Sequence, residues 1–228
     1  MTDLDGAAVL LTGAGGGLGR PIARRLAAAG ARLVVSGRDA ARLEGLGHPV
    51  LADLRLPGEP ERLVEEAVAH LGRLDGLVHA AGVVAFGPAG EADDDLLDEL
   101  FLADAIGPVR LLRAAVPHLL RAQAQRPGAF AAVLSAVVAE RPQPGMAAYS
   151  AAKAALSAFT RALAGEVRRE GVRVLDVRPP HTETGLAGRP VAGSAPRLPR
   201  GLEPDAVAER VVAALAGGER ELPSTAFG

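Results

Sequence analysis

The chain contains one tyrosine and one lysine, Tyr149 and Lys153. A spacing of four puts both on one face of a helix, where two side chains can act together. A free phenol titrates near 10, too high for proton exchange at neutral pH. An ammonium one helical turn away favours the phenolate and lowers that value. The composition sharpens the point, with no asparagine, two isoleucines and 24 arginines against the single lysine. Residues with AT-rich codons are nearly gone, which points to a GC-rich genome. Under that pressure arginine serves wherever any cation will do, so the lysine that survives reads as one that is needed.

A second group of residues points to anion binding. Thr12-Gly13-Ala14-Gly15-Gly16-Gly17-Leu18-Gly19 lies between an apolar run and a helical pattern. Five glycines let backbone N–H groups approach an anion closely, and the N-terminus of the following helix adds a favourable dipole. No Gly-Lys-Ser/Thr follows, so a Walker A loop is excluded and a dinucleotide is the better ligand. At the end of the second strand an acid would accept the ribose 2′-hydroxyl of NAD, whereas an arginine suits the 2′-phosphate of NADP. The chain offers Ser36-Gly37-Arg38 and no acid before Asp39. NADP(H) is therefore the expected cofactor, with NAD(H) as the other candidate.

These residues need a scaffold, and the hydrophobic pattern supplies one. Apolar strands are expected at Ala7–Leu11, Arg32–Val35, Pro49–Ala52, Gly76–His79, Ala129–Leu134 and Val172–Val177. Helical patterns alternate with them at about Arg20–Ala29, Pro60–Leu71, Asp94–Gln123 (with a kink expected at Pro117), Ala147–Arg169 and Pro204–Ala216. The acidic stretch Glu91–Asp95 reads as the solvated start of the long middle helix. Short strands alternating with helices predict an α/β fold, a parallel sheet of six to seven strands covered by helices on both faces. Right-handed crossovers then bring the glycine-rich turn to the carboxyl edge of the first strand, beside the point where strand order reverses.

The 228 residues are expected to form a single domain, 1–228, with 49% hydrophobic and 23% charged residues, which excludes a disordered chain. A net charge of −2 with no basic patch speaks against nucleic acid or an anionic membrane as partner. No cysteine is present, so no disulfide, thiolate metal site or cysteine nucleophile is available. The histidines at 48, 70, 79, 118 and 181 show no metal-ligand spacing, and no metal site is expected, although His181 begins the loop over the substrate. An acidic start, Met1-Thr2-Asp3-Leu4-Asp5, and the lack of a long apolar run lead to the expectation of a soluble, cytoplasmic protein.

The turn Thr12-Gly13-x-x-x-Gly17-x-Gly19 taken with Tyr149-x-x-x-Lys153 resembles the short-chain dehydrogenase/reductase family, and the resemblance covers nearly the whole chain. It implies a doubly wound Rossmann-type domain that transfers hydride between a nicotinamide and a carbonyl or alcohol. Tyr149 would donate and accept the proton, with Lys153 tuning it and holding the nicotinamide ribose. The cofactor would be held by Gly13, Gly15, Gly16, Gly17, Leu18, Gly19 and Arg38. Asp53 and Leu54 would lie at the adenine, and Ala80-Ala81-Gly82 resembles the family's element after the fourth strand. Pro179, Thr182 and Thr184, following Val177-Arg178, would grip the carboxamide. A loop at about 178–201, carrying Leu186, Val191 and Leu198, would cover an apolar carbonyl or alcohol substrate, and the long helices imply a homodimer or homotetramer.

The chain departs from the family pattern at the reacting end. The serine expected thirteen residues before the tyrosine is Ala136, and Ser135 stands one position early. Neighbouring strand residues face opposite ways, so Ser135 takes that catalytic part only through a local twist or bulge. The other reading is a structural hydroxyl bonded to backbone. Asp104 replaces the asparagine of the middle helix, where a carboxylate adds charge and can pair with Lys153 directly. His79 stands at the first asparagine of the post-strand element, and Pro180 replaces a glycine after Pro179, removing a backbone donor. Ala136, Asp104 and Pro180 motivate a second reading, a non-redox relative that keeps the fold as a binding protein, cyclase or isomerase.

Overall fold

The computed structural model describes residues 2–228. Seven parallel strands, β1 (Ala8–Thr12), β2 (Arg32–Gly37), β3 (His48–Leu51), β4 (Gly76–His79), β5 (Phe130–Leu134), β6 (Arg173–Val177) and β7 (Glu221–Leu222), form one sheet in the order β3-β2-β1-β4-β5-β6-β7. The order reverses between β1 and β4, so the carboxyl ends of those two strands form the crevice where such sheets take ligands. Every residue of β1, β4, β5 and β6 is buried. Buried parallel strands can be apolar on both faces, which is why their sequences read as short continuous runs.

Helices α1 (Gly19–Ala28) and α6 (Pro204–Gly217) pack on one face. Helices α2 (Glu59–Leu71), α4 (Gly107–Gln125) and α5 (Ala147–Glu166) pack on the other. The alternation within strands sorts the core, Val9 and Leu11 joining one cluster and Ala8 and Leu10 the other. A third cluster, built around Phe86, Leu100, Val138 and Tyr149, caps the carboxyl edge. No helix among the described residues is long and apolar enough to cross a membrane.

The expected middle helix is a composite. α3 (Asp94–Phe101) begins at Asp93, whose carboxylate accepts from the Leu96 amide, and runs into one π-helical turn, Leu102–Ile106, before α4. α4 continues through Pro117, which ends no helix here. β7 is only two residues long and takes its place by pairing with β6. A dipeptide carries no period, so the sequence alone could not place it.

Candidate active site

The glycine-rich turn is shaped by what surrounds it. Gly13 has φ +73°, and a Cβ there would overlap the backbone of Ala80 and Ala81. The ends of β1 and β4 therefore close on each other, and the Ala80 amide donates to the Thr12 carbonyl at 3.0 Å. Gly17 lies directly beneath Thr184, so the loop after β6 reaches the turn. The amides of Gly15, Gly17 and Leu18 have no backbone acceptor among the described residues, and α1 starts at Leu18 with no side-chain cap. Unpaired N–H groups at a helix N-terminus suit a diphosphate. A dinucleotide therefore fits this edge.

The adenosine end is less uniform. Arg38 is exposed just past β2 and has no ion pair or side-chain hydrogen bond among the described residues. Asp53 is engaged by Arg55, whose Nε donates to Oδ1 at 2.9 Å and Nη2 to Oδ2 at 2.5 Å. Arg55 also reaches Glu99 at 2.7 Å. The Arg55 hydrogen bonds hold the Asp53 carboxyl below its usual range. Leu54 packs against the core, and its carbonyl sits where a Cβ on Gly107 would fall, at 2.6 Å.

At the reacting end, α5 buries Tyr149 and Lys153 at 7% and 3% exposure. The Lys153 Nζ is 5.9 Å from the centre of the Tyr149 ring and 3.1 Å from Asp104 Oδ1. Asp104 sits in the π-helical turn, fully buried, and accepts from the Val83 amide at 3.1 Å. A Cβ on Gly82 would fall 2.6 Å from Asp104 Oδ1 and 2.9 Å from Lys153 Nζ, so a side chain there would push this pair from its present place.

The electrostatics follow from burial. Desolvation pushes the Asp104 carboxyl up, with Lys153 opposing. Desolvation also pushes the Tyr149 phenol up, and the Asp104 charge adds to it. His79 is pushed down to about 3, first by burial and then by the Lys153 charge, and is neutral at pH 7. Its Nδ1 lies 2.8 Å from Thr12 Oγ1, while His79 Nε2 and Asp104 Oδ2 have no hydrogen-bond partner among the described residues. Tyr149 thus faces an ion pair where the resemblance implied a lone ammonium.

The structure places the Ser135 hydroxyl against β6, away from the position a substrate-orienting serine was expected to take. Its hydroxyl donates to Asp176 Oδ1 at 2.6 Å and to the Val177 carbonyl at 3.2 Å. Strand alternation persists past Leu134: Ala136 packs with the Tyr149 cluster, and Ser135 points to β6. No bulge intervenes, and the buried carboxylate of Asp176 takes the hydroxyl.

Asp176 heads a network that sequence reasoning missed. Ser157 donates to its Oδ2 at 2.5 Å and Arg178 at 2.6 Å, and Arg178 also binds Glu140 and Glu221. A lone acid inside the apolar β6 was the available signal. Beyond it, Pro179 accepts from the Val137 amide through its carbonyl at 3.0 Å, and the Thr182 hydroxyl donates to the Pro180 carbonyl at 2.9 Å. The Thr184 hydroxyl accepts from the Leu186 amide at 3.3 Å. His181 lines a cavity of about 560 Å³ within the loop, with Glu183 and Arg200.

A second cavity, about 360 Å³, opens against Tyr149. Phe86, Leu96, Met146, Ala148 and Ala192 give it apolar walls. Together the turn, the helix pair and this pocket lie along one sheet edge.

The chain matches the short chain dehydrogenase family over residues 7–193. Hydroxynaphthalene reductase of Aspergillus fumigatus is 30% identical, across 94% of this chain and 79% of its own. An uncharacterized oxidoreductase of Methylorubrum extorquens is 33% identical, across 96% of this chain and 94% of its own. The 3-ketoacyl-(acyl-carrier-protein) reductase of Brucella melitensis, solved in complex with NADH, superposes with a TM-score of 0.87 at 26% identity, covering 96% of this chain and 97% of that one. With that match over most of its length, and with a sheet that superposes on those of solved members, the chain belongs to the short-chain dehydrogenase/reductase family of nicotinamide-dependent oxidoreductases.

Proposed function

We propose that the protein is an NADP(H)-preferring oxidoreductase that interconverts a ketone or aldehyde and an alcohol, with Tyr149 as the general acid and base. The observation that carries this reading is the buried Tyr149–Lys153 pair on α5, set between the glycine-rich turn and an apolar cavity. The backbone of Gly13–Gly19 would hold the diphosphate, Arg38 the 2′-phosphate, and Pro179, Thr182 and Thr184 the nicotinamide end. The bound cofactor supplies or accepts the hydride. Tyr149 Oη gives its proton to the oxygen that becomes the alcohol and takes it back in the reverse direction. Lys153 stabilises the phenolate left behind, and Asp104 holds Lys153 in place while weakening its field at the phenol. The loop 178–201 closes over the pocket and excludes water. Helices α3 to α5 would carry the contacts of a homodimer or homotetramer, which light scattering at micromolar concentration tests.

The absence of a serine at 136 and the Lys153–Asp104 pair favour one competing reading, a relative that binds nucleotide without hydride chemistry. Calorimetric titration with NADPH and, separately, NADH is the first test, followed by turnover of uncharged ketones with Tyr149→Phe as control. Tight NADPH binding, weak NADH binding and turnover lost in Tyr149→Phe are expected. NADPH binding with no turnover of any carbonyl would favour the competing reading. Binding of neither nucleotide removes the oxidoreductase reading and leaves the non-redox relative that keeps only the fold.

A further inference from the structure

Reduction of a carbonyl calls for more than one donor at the oxygen where charge develops, because preorganised donors stabilise that charge as it forms. Ala136 removes the family's second hydroxyl, and Ser135 is committed to Asp176. The cavity against Tyr149 therefore has to find its second donor elsewhere. Among the side chains that line it, only Tyr149 and Ser194 carry a hydrogen-bond donor. The other polar one, Glu91, is an exposed acceptor at the rim.

Ser194 belongs to the covering loop, yet its position is fixed by the sheet edge. The Val191 amide donates to the Val84 carbonyl at 2.8 Å, and the Phe86 amide donates to the Ala192 carbonyl at 3.0 Å. Ala85 and Ala192 form a parallel bridge. Gly193 has φ +70°, and a Cβ there would overlap the Phe86 carbonyl oxygen, so the chain approaches that closely only because the residue is glycine. Three residues of the loop are thus stitched to the segment that leaves β4, and Ser194 comes next. Ser194 is exposed and its hydroxyl has no hydrogen-bond partner among the described residues, so it is open to water and to a ligand that enters the cavity.

We infer that Ser194 replaces the missing serine as the substrate-orienting hydroxyl, so that Tyr149 and Ser194 together grip the oxygen of an uncharged carbonyl compound with apolar flanks. The inference rests on the oxidoreductase reading and adds the substrate class and the second donor. The apolar walls suit apolar flanks, and the exposed Glu91 carboxylate disfavours an anionic one.

The test uses the full chain with NADPH and three uncharged ketones, cyclohexanone, 2-octanone and acetophenone. Four proteins are compared: the parent, Ser194→Ala, Ser194→Ala with Ala136→Ser, and Tyr149→Phe. Ser194→Ala is expected to lower kcat/KM roughly 100-fold, with the loss mainly in kcat, and to leave NADPH affinity unchanged by calorimetry. Adding Ala136→Ser is expected to restore most of it, which a purely structural role for Ser194 would not allow. Ser194→Ala within about twofold of the parent, while Tyr149→Phe is inactive, overturns the inference and spares the function. Full turnover by Tyr149→Phe overturns the function instead. Turnover of none of the three ketones by a parent that binds NADPH overturns the substrate class.

Discussion

Replacing Asp104 by asparagine should make Tyr149 a stronger acid, and this chain allows that to be read directly. The amide introduced at 104 would keep an oxygen to accept from the Val83 amide and from Lys153, and would remove one charge. The two legs, 3.1 Å from carboxylate to Nζ and 5.9 Å from Nζ to ring centre, bound the carboxylate at about 9 Å from the phenol ring. At an effective dielectric constant of about 20, one charge at about that distance contributes roughly 1.8 kcal/mol, a little over one pKa unit. Burial pushes Tyr149 up first and the Asp104 charge pushes it further, so removing the charge moves the value down. Because Tyr149 is the only tyrosine and tryptophan is absent, the near-ultraviolet phenolate band reports this one group. At a fixed alkaline pH where circular dichroism stays native, Asp104→Asn should show about 20-fold more phenolate than the parent while the fraction is small, and Lys153→Met should show less. Equal or smaller phenolate in Asp104→Asn would refute the account of the Lys153–Asp104 pair as a brake on the phenol.

Arg38→Asp should weaken NADPH about 10- to 100-fold, the worth of a hydrogen bond to a charged group, without weakening NADH; calorimetry with both nucleotides decides it. Ser135→Ala should cost about 1–3 kcal/mol in urea unfolding, since it strips a buried carboxylate of a donor, and should leave kcat within about twofold, because the hydroxyl faces Asp176. Loss of turnover without loss of stability would contradict that placement. His79 sets a pH dependence of stability: the unfolded chain takes up its proton below about 6.5, while the folded chain refuses it down to about 3. Stability therefore falls as pH drops through that window, by about 2 kcal/mol at pH 5 relative to pH 7 from this group. His79→Gln should flatten that part of the thermal-melt profile, and an unchanged slope argues against a neutral buried imidazole.

The features legible in the sequence are those that residue type or spacing records directly. Glycine at 13 and 82 marks places where distant parts of the chain come within contact, and a spacing of four places Tyr149 and Lys153 on one helical face whatever lies opposite. The partner of Ser135 is not legible, because it depends on β5 and β6 being paired with Leu134 opposite Val177, which brings Asp176 alongside. The π-helical turn at Leu102–Ile106 has no sequence signature of its own, yet it is where the chain sets Asp104 towards Lys153 from a point 49 residues earlier. The Arg178 network joins residues from Glu140 to Glu221, and no local pattern links them. The stitched segment 191–193 is visible in the sequence only as part of a covering loop, because two amides and a bridge leave no trace in side-chain type.

The altered positions separate by what they touch. Contacts to the dinucleotide edge are mostly made by backbone, and backbone contacts survive side-chain drift: the amides of Gly15, Gly17 and Leu18 have no backbone acceptor among the described residues, and the Ala80 amide still ties β4 to β1. Asp104, His79 and Ala136 are all side-chain changes, and all lie towards the reacting end. Of these, Asp for Asn keeps shape and acceptor while adding charge, and Ala for Ser deletes one donor. Lys153 resists the same pressure for a geometric reason. Its Nζ sits 2.9 Å from where a Gly82 Cβ would be, buried with one carboxylate beside it. An ammonium has three donors to satisfy in that space, whereas a guanidinium has five in a rigid plane. Arginine there would strand donors in the core. On the proposed reading, the dinucleotide half of the site would be held by backbone atoms that codon drift does not alter, and the carbonyl half would depend on side chains around one buried lysine.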